Sequence, residues 1–181
     1  MKESQNPWLA QAKEIENQVS SAYELQDGSR VAVVGAGPAG SMFSYFFLSL
    51  AETIGLDANV DIYEPRSFSH CGPAGCNHCG GIVSESLVQR LATEGIRLPD
   101  DIVQRGIESY TLHMDVGTTR IETPLHEKRI GAVHRGGGPR GDKENRWESF
   151  DAHLLDLAVN KGARKLKQRV EKVEVINGHP R

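Results

Sequence analysis

The first strong signal along the chain is the uninterrupted apolar run Val31-Ala32-Val33-Val34, rich in β-branched residues. Such a run suits a strand buried on both faces, as in a parallel sheet. After a short glycine-containing stretch, Ser41 to about Ile54 is apolar nearly all round. That pattern predicts a helix held between a sheet and a second layer, with Gly55 as its C-terminal cap. Asn59 to Tyr63 predicts a second strand. Strand, glycine turn, helix and strand in this order make a right-handed βαβ unit.

The flanking regions have other periods. Pro7 to about Leu25 places Trp8, Leu9, Ile15, Val19 and Tyr23 roughly on one face, an amphipathic helix ended by Asp27-Gly28. Lying before the βαβ unit, it reads as an added element packed on the outside; contact with a partner or a membrane is the other use of such a face. Downstream, Ser84 caps a short helix from Glu85 to about Thr93, ended by Gly95. A further helical turn is expected between Pro99 and Gly106. Ile107–Met114, Thr118–Thr123 and Lys128–Val133 predict strands, and the alternation in Tyr110–Met114 predicts an antiparallel sheet with one wet face. Trp147–Asn160 predicts a helix whose apolar face is Phe150, Leu154, Leu155, Leu157 and Ala158, stopped by Gly162. Lys165–Ile176 predicts one or two strands with Val170, Val173 and Val175 buried. Asn177-Gly178 is a hairpin-turn signal close to the last residue, so the chain is expected to be the N-terminal part of a longer protein.

Composition narrows the function classes. The chain has 181 residues, 38% hydrophobic and 25% charged, within the range of an ordinary globular domain. A net charge of −3 argues against nucleic acid as a partner. No apolar run approaches the roughly 18 residues of a membrane span, and Met1 to Pro7 lacks the apolar core of a signal peptide. A cytoplasmic protein is expected. The 3 cysteines, Cys71, Cys76 and Cys79, fall in one cluster, which suits a reducing compartment and a local chemical role better than a disulfide framework.

The candidate chemistry begins between the first strand and its helix. Gly35, Gly37 and Gly40 form G-x-G-x-x-G, with Ala39 inside it. Gly35 suits the tight turn out of the strand, Gly37 the close approach of a pyrophosphate, and Gly40 close packing of helix on strand. Pro38 sits where its missing N–H costs nothing, and the helix N-terminus faces the phosphates. Glu64 closes the second strand 24 positions after Gly40 (64 − 40), near the offset of a ribose-binding carboxylate. A glycine-rich turn in some other α/β protein is the bland alternative.

The cysteine loop runs from Ser69 to Gly81. Cys71, Cys76 and Cys79 have the spacing C-x4-C-x2-C, which a plant-type iron–sulfur cluster would complete with a fourth cysteine. Zinc held with His70 or His78 is a second metal reading, and a redox pair of Cys76 and Cys79 a third.

Gly35-Ala-Gly-Pro-Ala-Gly40, Glu64-Pro-Arg66, Cys79-Gly-Gly81 and Arg146-x-x-x-Phe150-Asp151-x-x-Leu154-Leu155 with Gly162-Ala163 resemble FAD-dependent oxidoreductases of the geranylgeranyl reductase type. The resemblance covers about Arg30 to Ile176. It implies an α/β, Rossmann-like FAD/NAD(P)-binding fold with a parallel sheet and an inserted antiparallel β segment at about 107–134. Residues 1–28 are then a helical extension, and 29–181 an FAD-binding domain incomplete at its C-terminus. The family's second flavin motif, a Gly-Asp pair, is absent. The resemblance implies FAD as cofactor, with the glycine turn (Gly35, Gly37, Pro38, Ala39 and Gly40) on its pyrophosphate and Glu64 on its ribose. Arg66 would lie at the adenosine end, unless it is a solvated loop residue. Arg146 would approach the phosphate or ribityl region, unless it caps or salt-bridges the helix that follows; its family position ranks it above Arg135 and Arg140. Gly80 and Gly81 would let the backbone approach the isoalloxazine ring, with Cys79 as the catalytic side chain on the substrate face and no metal. Cys71 and Cys76 depart from the family motif. The implied reaction is reduction of carbon–carbon double bonds in a prenyl-like or other apolar substrate, with NAD(P)H or a ferredoxin as electron donor. An electron-donor protein and a peripheral membrane contact are the partners this would add. The rivals are a flavin monooxygenase of the same fold and a zinc or iron–sulfur electron-transfer module built on the cysteine loop.

Overall fold

A computed structural model describes residues 24–72, 80–123, 130–137, 148–176 and 179–180. Strand β1 (Ser29–Val34) feeds helix α1 (Pro38–Ile54), which returns to strand β2 (Ala58–Tyr63). β1 and β2 pair in parallel from Ser29↔Ala58 to Val34↔Tyr63. Two residues end α1 and turn the chain back: Gly55, at φ 72, donates its N–H to the Glu52 carbonyl, and Leu56 N–H reaches Ala51. Only a residue without Cβ adopts that left-handed cap at no steric cost.

A long excursion follows before the chain rejoins this sheet. It contains strand β3 (Ile82–Val83), helix α2 (Glu85–Thr93), strands β4 (Val103–Ile107), β5 (Ser109–Met114), β6 (Gly117–Glu122) and β7 (Ile130–Val133), and helix α3 (Phe150–Asn160). Strand β8 (Arg164–Leu166) then adds in parallel to β2, giving the order β1-β2-β8. β3, β7 and β4 form a separate antiparallel sheet in that order, and β5 pairs with β6 as a hairpin. The last pair is β9 (Val175–Ile176) with β10 (His179–Pro180), antiparallel; the Asn177-Gly178 turn expected between them lies outside the described residues. The molecule is thus mixed α/β, with one small parallel sheet and several antiparallel pairs. Among the described residues no helix is long and apolar enough to cross a membrane.

Two apolar clusters hold the fold. Val33, Ala36, Val60, Ile62, Phe68, Leu155, Ala158 and Ala163 form one over the parallel sheet. Val83, Leu91, Ile96, Ile102, Val133, Phe150 and Leu154 form the other over the antiparallel sheet. Helix α3 belongs to both: its first turns enter the second cluster, and Leu155 and Ala158 enter the first. Each fully buried leucine of that helix is worth about 1.5–3 kcal/mol of transfer free energy. α3 therefore ties the two sheets together, and α1 does so as well, with Tyr45 packed against both clusters.

Several local expectations are corrected. The turn of helix expected between Pro99 and Gly106 is a turn followed by strand β4. α1 is not buried all round: Ser41, Ser44 and Ala51 are its buried positions, while Phe43, Leu50 and Ile54 are exposed. The β5–β6 hairpin has no dry face, because Tyr110, Leu112, Met114 and Ile121 are all exposed. Val173 and Val175 are exposed and Val170 is half-buried. For α1, the hairpin and the valines after β8, the pattern named apolar positions correctly, but no described layer covers them. The helix expected over 7–25 lies outside the described residues except for Glu24 and Leu25, which are not helical.

Candidate functional site

The glycine turn is built by three different physical demands. Gly35 leaves β1 at φ 95, and its N–H continues the ladder to the Tyr63 carbonyl at 2.9 Å. That φ is strained for any other residue. Gly40 is required by packing: a Cβ there would lie 2.0 Å from the Gly35 carbonyl oxygen and 3.2 Å from a Val33 methyl. The Ser41 hydroxyl closes the turn from inside by donating to the Ala36 carbonyl at 2.9 Å.

Gly37 obeys neither demand. Its φ is −63 and ψ 178, extended backbone open to any residue, and a Cβ built on it has nothing within 4 Å. It is the N-cap of α1, where serine, threonine or aspartate is usual because the side chain satisfies an otherwise orphaned N–H. No side chain caps α1, and its first turn holds no acidic residue. The other two helices differ. Ser84 accepts from Leu87 N–H ahead of α2, and Ser149 accepts from Ala152 N–H ahead of α3, with Glu85 and Asp151 in the respective first turns. The start of α1 therefore presents its positive dipole end and backbone donors to the outside. A Cβ built on Gly37, the N-cap of α1, would point into open space.

Glu64 locks this turn to the loop that follows. Its backbone N–H bonds to the Leu166 carbonyl at 2.9 Å, extending β2 against β8. Its carboxylate is buried, with the residue 6% exposed. Oε2 accepts from Ala36 N–H at 3.0 Å and Oε1 from Arg66 N–H at 2.9 Å. Each oxygen keeps a second lone pair for a hydroxyl donor. The sequence pair of glycine turn and acidic strand end is thus one hydrogen-bonded unit. The Arg66 side chain is in an exposed position on the loop.

Phe68 anchors that loop. It lies at φ 57 and is 1% exposed, packed in the cluster over the parallel sheet. A bulky residue in the left-handed region is held there by its surroundings, here by burial of the ring. The chain then meets the 134–137 segment: Gly137 N–H donates to the His70 carbonyl at 2.9 Å, and the Cys71 thiol donates to the Gly137 carbonyl at 3.0 Å. The start of the cysteine loop is therefore fastened to the turn after β7.

Cys76, His78 and the catalytic candidate Cys79 lie outside the described residues, as do Arg140 and Arg146. Among the described residues no group of three or more metal-ligating side chains is gathered. Gly80 and Gly81 are described and differ. Gly80, at φ 67, would give a Cβ nothing to meet, whereas a Cβ on Gly81, at φ 74, would lie 1.9 Å from the Val133 carbonyl oxygen. Gly81 also accepts Val133 N–H at 2.8 Å. The chain itself accounts for glycine at 81, since β7 passes directly over it.

Two charged groups escaped the sequence reading. Arg135 forms a two-pronged ion pair with Asp151, which is fully buried at the start of α3; Nη2 to Oδ1 is 2.6 Å. Ser149 Oγ also accepts from Gly136 N–H at 3.0 Å, so the turn after β7 is laced to the N-terminus of α3. The available signal was an aspartate at the apolar head of a helix, which burial obliges to find a cation. On the outer face of the parallel sheet, Asp61 takes Arg164 at 2.8 and 2.9 Å and Arg30 at 2.7 Å. The Arg164 hydrogen bonds hold the Asp61 carboxyl below its usual range, with burial opposing and Arg30 adding to the effect. His134 is buried beside Gln104, Nδ1 to Nε2 being 2.9 Å; burial lowers its pKa and Asp101 partly opposes this. A surface hollow of about 370 Å³, lined by Leu48, Glu52, Leu56 and Lys161 among others, lies at the far end of α1 from the glycine turn. No family model matches this chain, and no curated protein matches it.

Proposed function

We propose that this chain is the FAD-binding portion of a flavin-dependent oxidoreductase of the geranylgeranyl reductase type. The observation that carries the reading is Gly37. Glycine there answers no demand of backbone conformation or internal packing, and it leaves the uncapped N-terminus of α1 open. A dinucleotide pyrophosphate supplies the missing reason, since it needs both the space and the donors. The parallel order β1-β2-β8 supports the finer reading of a Rossmann-like nucleotide fold, because ligands of such sheets gather at the carboxyl ends of the strands.

In this reading the backbone of Gly35, Gly37, Ala39 and Gly40 cradles the phosphates, with Pro38 fixing the first turn. Glu64 orients the ribose through the lone pairs that Ala36 and Arg66 leave free. Arg66 lies toward the adenosine and Arg146 toward the phosphate or ribityl chain. Gly80 leaves room for the ring, and Cys79 faces the substrate. FAD, reduced by NAD(P)H or a ferredoxin, would supply the hydride for a carbon–carbon double bond of a prenyl-like or other apolar chain, with a proton delivered to the other carbon from the opposite side. The protein's part is to bind, orient and exclude water around that bond.

Titrating the purified chain with FAD tests the reading. Gly37→Ser provides a good helix cap and removes the open space, so it should weaken FAD binding by about tenfold or more, roughly 1.4 kcal/mol, without lowering the temperature of thermal unfolding. Uptake of NAD with no affinity for FAD would sink the proposal, as would a Gly37→Ser chain that binds FAD as well as the parent.

A further inference from the structure

The turn after β7 touches parts of the chain that the sequence keeps far apart. On entering it, Val133 N–H donates to the Gly81 carbonyl at 2.8 Å, and the Val133 carbonyl stands where a Cβ on Gly81 would go. On leaving it, Gly137 N–H donates to the His70 carbonyl at 2.9 Å, and the Gly137 carbonyl accepts the Cys71 thiol at 3.0 Å. Residues 133–137 therefore hold both ends of the cysteine loop, which begins at Ser69 and closes at Gly81. Four residues of chain span at most about 14 Å, so the two attachment points lie no further apart than that.

The turn is bound in its middle to the head of α3. Arg135 grips Asp151 with two prongs, Ser149 Oγ accepts Gly136 N–H at 3.0 Å, and the His134 carbonyl accepts Phe150 N–H at 2.8 Å. The side chains of Arg135 and Asp151 are 12% and 0% exposed. Stability alone does not call for such a pair, since well-packed apolar side chains of similar volume hold a fold as well or better. What a two-pronged pair adds is a fixed direction. The head of α3 also lies at the end of the molecule that carries the glycine turn. α1 leads into β2 and α3 into β8, and those strands run parallel. Lys161 at the end of α3 pairs with Glu52 near the end of α1. The two helices finish side by side, and both begin toward the carboxyl ends of the strands.

We propose that Arg135 and Asp151 are positioning residues for the flavin site. By fixing the turn 133–137 on α3, they set where Gly81 and the His70–Cys71 stretch stand relative to the glycine turn. The inference rests on the FAD reading, which puts the isoalloxazine ring beside Gly80 and Gly81. In that reading both residues act through the turn and not on the ligand.

The test separates position from stability in the full chain. Arg135→Met with Asp151→Leu exchanges the pair for apolar side chains, so thermal unfolding should stay near the parent's while the directed hold is lost. Without FAD, the Val133 and Gly137 amides should then exchange about tenfold or more faster, with those of β1 and β2 unchanged. With Cys76→Ser and Cys79→Ser added to both chains, Cys71 should react severalfold faster with a thiol reagent. With FAD bound, iodide should quench the flavin severalfold more strongly, while affinity for ADP, which takes only the glycine turn and Glu64, stays close to the parent's. Arg135→Lys keeps the charge without the fork; it should show the same changes in smaller measure and serves if the double variant does not fold. Amide exchange and Cys71 reactivity like the parent's in these variants overturn the proposal. Faster exchange with an unaltered bound flavin also overturns it, leaving the pair a structural joint only. A parent chain that takes up no FAD instead sinks the FAD reading, and the role at the ring with it, while the exchange data still decide whether the pair holds the turn.

Discussion

The turns at Gly35–Gly40 and Gly80–Gly81 look alike as sequence: glycines at the joint of a strand, which the resemblance assigns to the pyrophosphate and the isoalloxazine ring of one FAD. They are held in different ways. At Gly81 the chain fills the space itself, with the Val133 carbonyl where a Cβ would go. In the first turn only Gly40 is packed in this manner, against Gly35 and Val33, and Gly37 is left open at an uncapped helix start. The difference separates glycines that the fold needs from one that it does not, which the proposed function assigns to a ligand. A substitution at the first kind should cost stability, and at the second kind binding alone.

Gly81→Ala gives the largest expected effect. It combines overpacking on backbone, a left-handed φ and the bond to Val133, together about 5 kcal/mol of unfolding free energy. Gly40→Ala lacks the φ penalty and should cost about 3 kcal/mol. Urea unfolding measures both, and a Gly81→Ala chain as stable as the parent would break the comparison. Arg135→Met tests whether the turn after β7 is a structural joint. Leaving Asp151 buried without its cation should cost about 3 kcal/mol, and the loss should be largely recovered in the double variant Arg135→Met with Asp151→Leu. Gly37→Ser sharpens the contrast from the other side: an added N-cap should change stability by less than about 1 kcal/mol, toward greater stability if at all.

The smallest effect concerns pH. The folded pKa of Asp61 lies below its ordinary value, chiefly through the Arg164 hydrogen bonds. Its contribution is present above the ordinary carboxylate range, about 4, and is lost as pH falls through the lowered value. Asp61→Asn should therefore flatten the acid limb of stability below about pH 4 and leave the neutral region's slope unchanged. Thermal melts of both chains from acid to neutral pH would show it, and an unchanged acid limb would remove Asp61 from the account. Both arginines are largely exposed, so added salt should weaken the effect.

Sequence by itself determined the local elements wherever period and punctuation agree. The β1–α1–β2 order, the Ser84 cap with its helix, and the paired strands after Ile107 follow from side-chain alternation, apolar runs and glycine stops, which act within a few residues. It also named the glycine turn and Glu64, because their spacing reflects one short crossover. Tertiary structure alone decided three further matters. It brought Glu64 onto the Ala36 N–H, a contact across β1 and β2 that spacing only suggests. It paired Arg135 with Asp151, and left Val173, Val175 and the hairpin's apolar face uncovered, since neither a partner's distance nor a covering layer is written in local periodicity. It also divided the glycines by what surrounds them. Conformational freedom is a property of the residue, but the space beside it is a property of whatever part of the chain folds back to fill it.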